Sequence, residues 1–207
     1  SDYPPLTDLC DELEPFCDAR HVSLSLPSLR ADNFSMDLMQ RLAKGRKTGL
    51  TFAPEAGTQR LRDVINKNLR EEDLLEACKV AFQAGYNGVK LYFMMGLPTE
   101  TDEDLLGISQ IVRHVIATFR EYGKNKARGV RINVGISIFV PKAQTPFQWL
   151  GQITGEEARR KKQLLMDSLK IKNVTYSIHD HRTSFLEAVL ARGDRRLSAV
   201  LEKAWEK

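Results

Sequence analysis

Val89-Lys90-Leu91-Tyr92-Phe93-Met94-Met95-Gly96-Leu97-Pro98-Thr99-Glu100-Thr101-Asp102-Glu103-Asp104 joins an apolar run to a Gly-Leu-Pro corner and then to an acidic helix start. The run is β-prone and bounded by Gly88 and Gly96, which predicts a buried strand of the kind that central parallel sheets use. The helix predicted beyond Pro98 has Thr99 or Thr101 as its cap. Glu100, Asp102, Glu103 and Asp104 place negative charge where the free amides and the dipole of a helix start favour it. In an α/β sheet this corner, at the carboxyl end of a strand, is where ligands bind. Alternation sets Lys90, Tyr92 and Met94 on one side of the strand and Leu91, Phe93 and Met95 on the other. A lysine belongs on the wetter side, so the first set is assigned to the lumen of a barrel-like sheet.

Outward from this stretch, the chain alternates strands with helices. Upstream, the apolar spacing of Leu6, Leu9, Leu13, Phe16 and Cys17 predicts an amphipathic helix over 6–18, with no strand before it. Strands follow at 22–26 and 49–53, the second broken by Pro54, with helices at 35–42, around Leu61, Val64 and Ile65, and at 71–84. Downstream come a helix at 102–122, a strand at 130–140 ending at Pro141, a helix at 154–171, a strand at 174–178 and helices at 184–191 and 194–205. Such an order implies crossover connections and a parallel sheet. The class is α/β, a parallel β/α partial barrel. Because its first strand follows a solitary helix, upstream strands are expected in a longer chain. Residues 1–150 are assigned to the barrel portion and 151–207 to a helix-strand-helix extension of the same domain.

With 207 residues, 42% of them hydrophobic and 8% aromatic, the chain can bury a sizeable core. No apolar stretch approaches the ~20 residues that span a bilayer, and Ser1-Asp2-Tyr3-Pro4-Pro5 lacks a signal-peptide pattern. A cytoplasmic protein with no membrane partner is expected. Thirty-one basic against 27 acidic residues, net +4, are too balanced to demand a nucleic acid. The basic clusters 124–128 and Arg159-Arg160-Lys161-Lys162 permit RNA binding, yet they lack interleaved aromatics and read as solvated charge. Cys10, Cys17 and Cys78 suggest neither a disulfide framework nor a complete metal site. Cys17 and Cys78 fall on helical apolar positions as small core residues. His179-Asp180-His181 lacks a third metal ligand and reads as a polar turn.

Four segments carry a resemblance in the right order: Leu26-Pro27-Ser28-Leu29-Arg30-Ala31-Asp32, Phe52-Ala53-Pro54-Glu55-Ala56-Gly57-Thr58-Gln59-Arg60-Leu61-Arg62, Lys90 to Thr101, and Ile138-Phe139-Val140-Pro141-Lys142-Ala143-Gln144-Thr145-Pro146-Phe147. They resemble the third to sixth strands of the radical S-adenosylmethionine (radical SAM) superfamily core. Within it the chain is most similar to a group of largely uncharacterised bacterial proteins, many with an upstream cobalamin-binding-like domain, whose tail Ala191-Arg192-Gly193-Asp194-Arg195-Arg196 also resembles.

The resemblance implies S-adenosylmethionine and a 4Fe–4S cluster as cofactors of a longer protein. The family's Cys-x3-Cys-x2-Cys is absent here, and Cys10 with Cys17 does not replace it, because one cluster needs thiolates that converge. Cluster ligands are therefore expected upstream in the same polypeptide, and these 207 residues alone are expected to be inert. By the resemblance, Glu55 approaches the ribose, where a carboxylate can accept both hydroxyls; as a helix-start acid it needs no ligand. Lys67 matches a position some relatives use for the methionine carboxylate, or is a solvated lysine. Tyr92 lies near S-adenosylmethionine or fills the lumen, and Met94 is an adenine platform or core filler. Val140 and Pro141 sandwich the adenine. Arg30, Lys90 and residues beyond Thr145 face an unknown substrate, although Arg30 can equally pair with Asp32.

Two other classes stay open. One is a non-redox β/α-barrel enzyme holding phosphate on the Gly57-Thr58 or Gly96 amides. The other is a module that binds or modifies RNA.

Overall fold

Strand-forming stretches pair here in the order in which they occur in the chain. The structure, a computed structural model, describes residues 6–22, 50–124 and 126–207. In it β1 (Leu50–Glu55), β2 (Gly88–Met95), β3 (Arg131–Ile138) and β4 (Val174–Ile178) form one sheet in the order β1-β2-β3-β4. Every neighbouring pair is parallel. A sheet that steps in one direction without reversing its order is an arc of a β/α barrel, not a doubly wound sheet with a switch point. Among the described residues the arc is open.

The helices are α1 (Leu6–Ala19), α2 (Gln59–Val64), α3 (Glu71–Gln83), α4 (Asp102–Tyr122), α5 (Gly155–Ser168), α6 (His181–Arg192) and α7 (Ser198–Trp205). They agree with the sequence reading apart from the ends. For example, α6 begins three residues before the expected 184 because Asp180 caps it, accepting a hydrogen bond from the Arg182 amide at 2.8 Å. That cap is the role of the His179-Asp180-His181 turn, and no metal-holding cluster forms among the described residues. The strand expected at 22–26, beyond Val22, and the helix at 35–42 lie outside the described residues.

The two faces of the sheet differ as strand alternation requires. Val89, Leu91, Phe93 and Met95 of β2 and Ile132, Val134, Ile136 and Ile138 of β3 are all buried. They share one apolar cluster with Leu74 and Cys78 of α3, Ile108, Ile111 and Val112 of α4, and Leu165 of α5. Burial of each such side chain contributes about 1.5–3 kcal/mol relative to leaving it in water. Cys78 is a small core residue, its thiol pushed up to about 12 by burial; Cys10 is buried too, and Cys17 is half-buried. The opposite face carries Lys90 and Tyr92, both exposed.

Pro54 does not end β1, contrary to expectation. The register runs Phe52↔Leu91 and then Glu55↔Phe93, so Ala53 and Pro54 together oppose Tyr92 in a bulge. A proline is tolerated there because the bulge asks no ladder hydrogen bond of its missing N–H.

The loop after β1 meets α4 backbone to backbone. A Cβ on Gly57 would lie 2.1 Å from the Asp104 carbonyl oxygen and 2.5 Å from the Ile108 nitrogen, and one on Gly107 would lie 2.6 Å from the Gly57 oxygen. No side chain fits between them. Gly57→Ala should therefore lower stability by about 3 kcal/mol, read as a shifted urea midpoint at constant slope. Gly151→Ala, where nothing lies within 4 Å of the new Cβ, should stay within about 0.5 kcal/mol of the parent.

Candidate functional site

The carboxyl ends of β1 and β2 turn into helices through two loops, and one carboxylate joins them. Asp104, in the first turn of α4, is 2% exposed. Its Oδ1 accepts from the Thr58 hydroxyl in the β1 loop, and its Oδ2 accepts from the Arg60 guanidinium. Oδ2 also accepts from the Thr101 amide at 2.8 Å and the Thr101 hydroxyl at 2.9 Å. Burial pushes this carboxyl up, but its hydrogen bonds from Thr58, Thr101 and Arg60 outweigh that and hold it below the usual aspartate range. Arg60 also donates to the Thr99 carbonyl at 2.9 Å. Thr101, not Thr99, is the cap of α4.

The second corner has its own buried pair. The Glu100 side chain is 1% exposed and that of Lys161 in α5 is 7% exposed, with Nζ 2.6 Å from Oε2. Oε2 also accepts from the Gly96 amide at 2.9 Å, while Oε1 is buried without a partner among the described residues. Burial raises the Glu100 carboxyl above its ordinary value, against the opposing pull of Lys161 and the Gly96 amide. The sequence reading missed this pair, taking Glu100 as helix-start charge and Lys161 as solvated. The neighbouring Arg160 is tied to Asp102 at 2.7 Å and Glu157 at 2.8 Å, so these basic residues of α5 are spent on internal pairs.

The residues singled out from the sequence fall into four places among the described residues. Glu55 and Lys67 come together at the end of β1, with Nζ 3.3 Å from Oε1, and Glu55 sits at φ +68°, bending the strand end. Lys90 and Tyr92 share the open face, lining a cavity of about 280 Å³ with Asn133, Gly135, Thr175 and Ser177. The Tyr92 ring lies on bare backbone: a Cβ on Gly135 would be 2.7 Å from its Cδ1. Met94 packs with Phe139 against the small apolar cluster of Ala56, Leu61 and Leu97. Val140 and Pro141 are both buried just beyond β3. Arg30 lies outside the described residues.

Of the two phosphate cradles of the non-redox reading, the Gly96 amide is given to Glu100. The described residues do not fit an iron–sulfur cluster. Two of the three cysteines are buried in the core, and a thiol pushed up to about 12 is the reverse of a thiolate ligand.

Residues 1–112 match the family model of the radical SAM superfamily. The chain belongs to that superfamily. It is 33% identical over 201 residues to an uncharacterized protein of Methanocaldococcus jannaschii, a match covering 97% of this chain and 41% of that protein. The chain thus spans about two-fifths of the length of the curated relative it matches. Among solved structures it is similar to a sugar phosphate isomerase/epimerase from Parabacteroides distasonis, at 13% identity and a TM-score of 0.43, covering 92% of this chain and 71% of that one. No described helix is long and apolar enough to cross a membrane.

The two buried carboxylates predict opposite pH behaviour. Asp104 is held below its ordinary 3.8, so its contribution is present above that value and lost as pH falls through the folded one. Asp104→Asn should cost about 2 kcal/mol at pH 7, and the gap to wild type should close as pH drops below about 3.8 in acid titrations of stability. Glu100 is raised, so its contribution is present below its ordinary 4.5 and lost as pH rises through the folded value. Lys161→Met should deepen that loss, costing about 3 kcal/mol at pH 7 and less as pH falls. Adding Glu100→Gln to it should restore most of the stability.

Proposed function

We propose that this chain forms the nucleoside-binding wall of a longer radical SAM enzyme, which cleaves S-adenosylmethionine reductively to a 5′-deoxyadenosyl radical. The cluster, held by cysteines elsewhere in that polypeptide, would supply the electron. The residues of this chain would fix the nucleoside, because a primary radical reacts with whichever C–H bond lies nearest.

The Glu55–Lys67 pair carries this reading. Lys67 takes Oε1 of Glu55 and leaves Oε2 without a partner among the described residues, so the carboxylate is oriented but still able to accept a ribose hydroxyl. Lys67 spends one of its three donors and is about one-third exposed, which leaves it able to meet the methionine carboxylate. Tyr92 would flank the same nucleoside from β2, and Val140 and Pro141 would border its adenine at the end of β3. Met94, on the same face as Tyr92, packs against Ala56, Leu61 and Leu97 beside the end of β1 and would support that corner of the site. Lys90 and the residues beyond Thr145 would face the substrate, with the upstream part of the polypeptide completing the barrel.

In the longer protein, loaded with its cluster, 5′-deoxyadenosine should form under reducing conditions. Glu55→Ala should lower S-adenosylmethionine affinity about tenfold or more, while Glu55→Gln should lose less. Unchanged affinity and cleavage in Glu55→Ala would remove Glu55 from the site, and no cleavage by the wild type would remove the mechanism. The 207-residue chain, treated anaerobically with iron and sulfide, should remain colourless.

A further inference from the structure

Lysine is depleted in strands, and Lys90 is the third residue of an interior one, toward the amino end of β2. Its register partners are Thr51 in β1 and Asn133 in β3, and Asn133 pairs in turn with Thr175 in β4. Four side chains thus cross the open face at one height. The Lys90 ammonium makes no hydrogen bond or ion pair among the described residues. On the same face, one step toward the amino end of β3, Arg131 is likewise exposed and unpaired among them. The open-face positions of β2, β3 and β4 carry no carboxylate, and Glu55 at the end of β1 is already bridged by Lys67. The result is a positive floor inside a concave wall, which raises the local concentration of anions.

The neighbours of Lys90 sharpen the chemistry. The Thr175 hydroxyl donates to Oδ1 of Asn133, which engages the acceptor of that amide and leaves its NH₂ group without a partner among the described residues. The row therefore presents an ammonium and an amide donor side by side, an arrangement complementary to a group that only accepts. Tyr92, resting on Gly135, walls the same cavity with a ring face, and the cavity of about 280 Å³ has room for a small acid.

We propose that Lys90 and Asn133 form an anion subsite, which holds a carboxylate or phosphate of the substrate while its apolar body lies against Tyr92. This rests on reading the open face as the substrate side of the radical SAM barrel. The test is binding by the 207-residue chain, followed by amide NMR during titration with inorganic phosphate in one arm and succinate in the other. Saturable shifts confined to the row of Thr51, Lys90, Asn133 and Thr175 are expected, weakened about tenfold or more by Lys90→Met and within about threefold of wild type in Lys90→Arg. Saturation by phosphate alone assigns a phosphorylated substrate, and saturation by succinate alone assigns a carboxylic acid. Absence of a saturable shift in both arms, shifts located elsewhere, or an unchanged response in Lys90→Met overturns the proposal. If Lys90→Met fails to fold, the location of the wild-type shifts decides. The measurement needs neither cluster nor S-adenosylmethionine, so a failure to cleave that cofactor and a failure to bind anions are read separately.

Discussion

A single carboxylate makes two loops into one rigid corner. Asp104 starts α4, yet it is bonded to Thr58 and Arg60, which belong to the loop and helix after β1. Its burial is tolerable because each oxygen meets directed donors, and its charge in turn holds Arg60 over the Thr99 carbonyl. The contact of Gly57 with Gly107 brings the two backbones close enough for these bonds to form. Through them the height of Glu55 is fixed relative to Gly96.

The Glu100–Lys161 pair extends the same logic to α5, so the second corner is clamped from its own strand end and from the helix beyond β3. Both clamps lie at the carboxyl ends of the strands, and the helix side of the sheet is filled with Val, Leu, Ile and Phe. Below and behind, the sheet cannot yield without opening a cavity; in front, it presents lysine, tyrosine, asparagine and hydroxyl groups. A wall that is stiff behind and polar in front is what the proposed nucleoside site would require, because a radical enzyme has to keep its reactive group in one pose.

The fold was legible because alternation is a local signal. The strand at 88–95 and the assignment of Lys90 and Tyr92 to the wetter face both followed from residues two apart, and the helices from spacings of three and four. What stayed hidden were pairings between distant positions. Lys161 lies 61 residues from Glu100, and nothing in a run of four basic residues says which one turns inward. Glu55 and Lys67 were each singled out, but their mutual contact depends on how the short α2 folds back after the bulge. Pro54 misled because its usual meaning, the end of a strand, fails where the ladder is already interrupted.

Gly135 sits directly opposite Tyr92 across the β2–β3 ladder, and the ring rests on it. The clearance between the sheet and whatever lies over it is thus one aromatic thickness, with no spacer beneath. Position 135 works as a shim: a larger residue there lifts the ring and narrows the chamber, while every strand keeps its register.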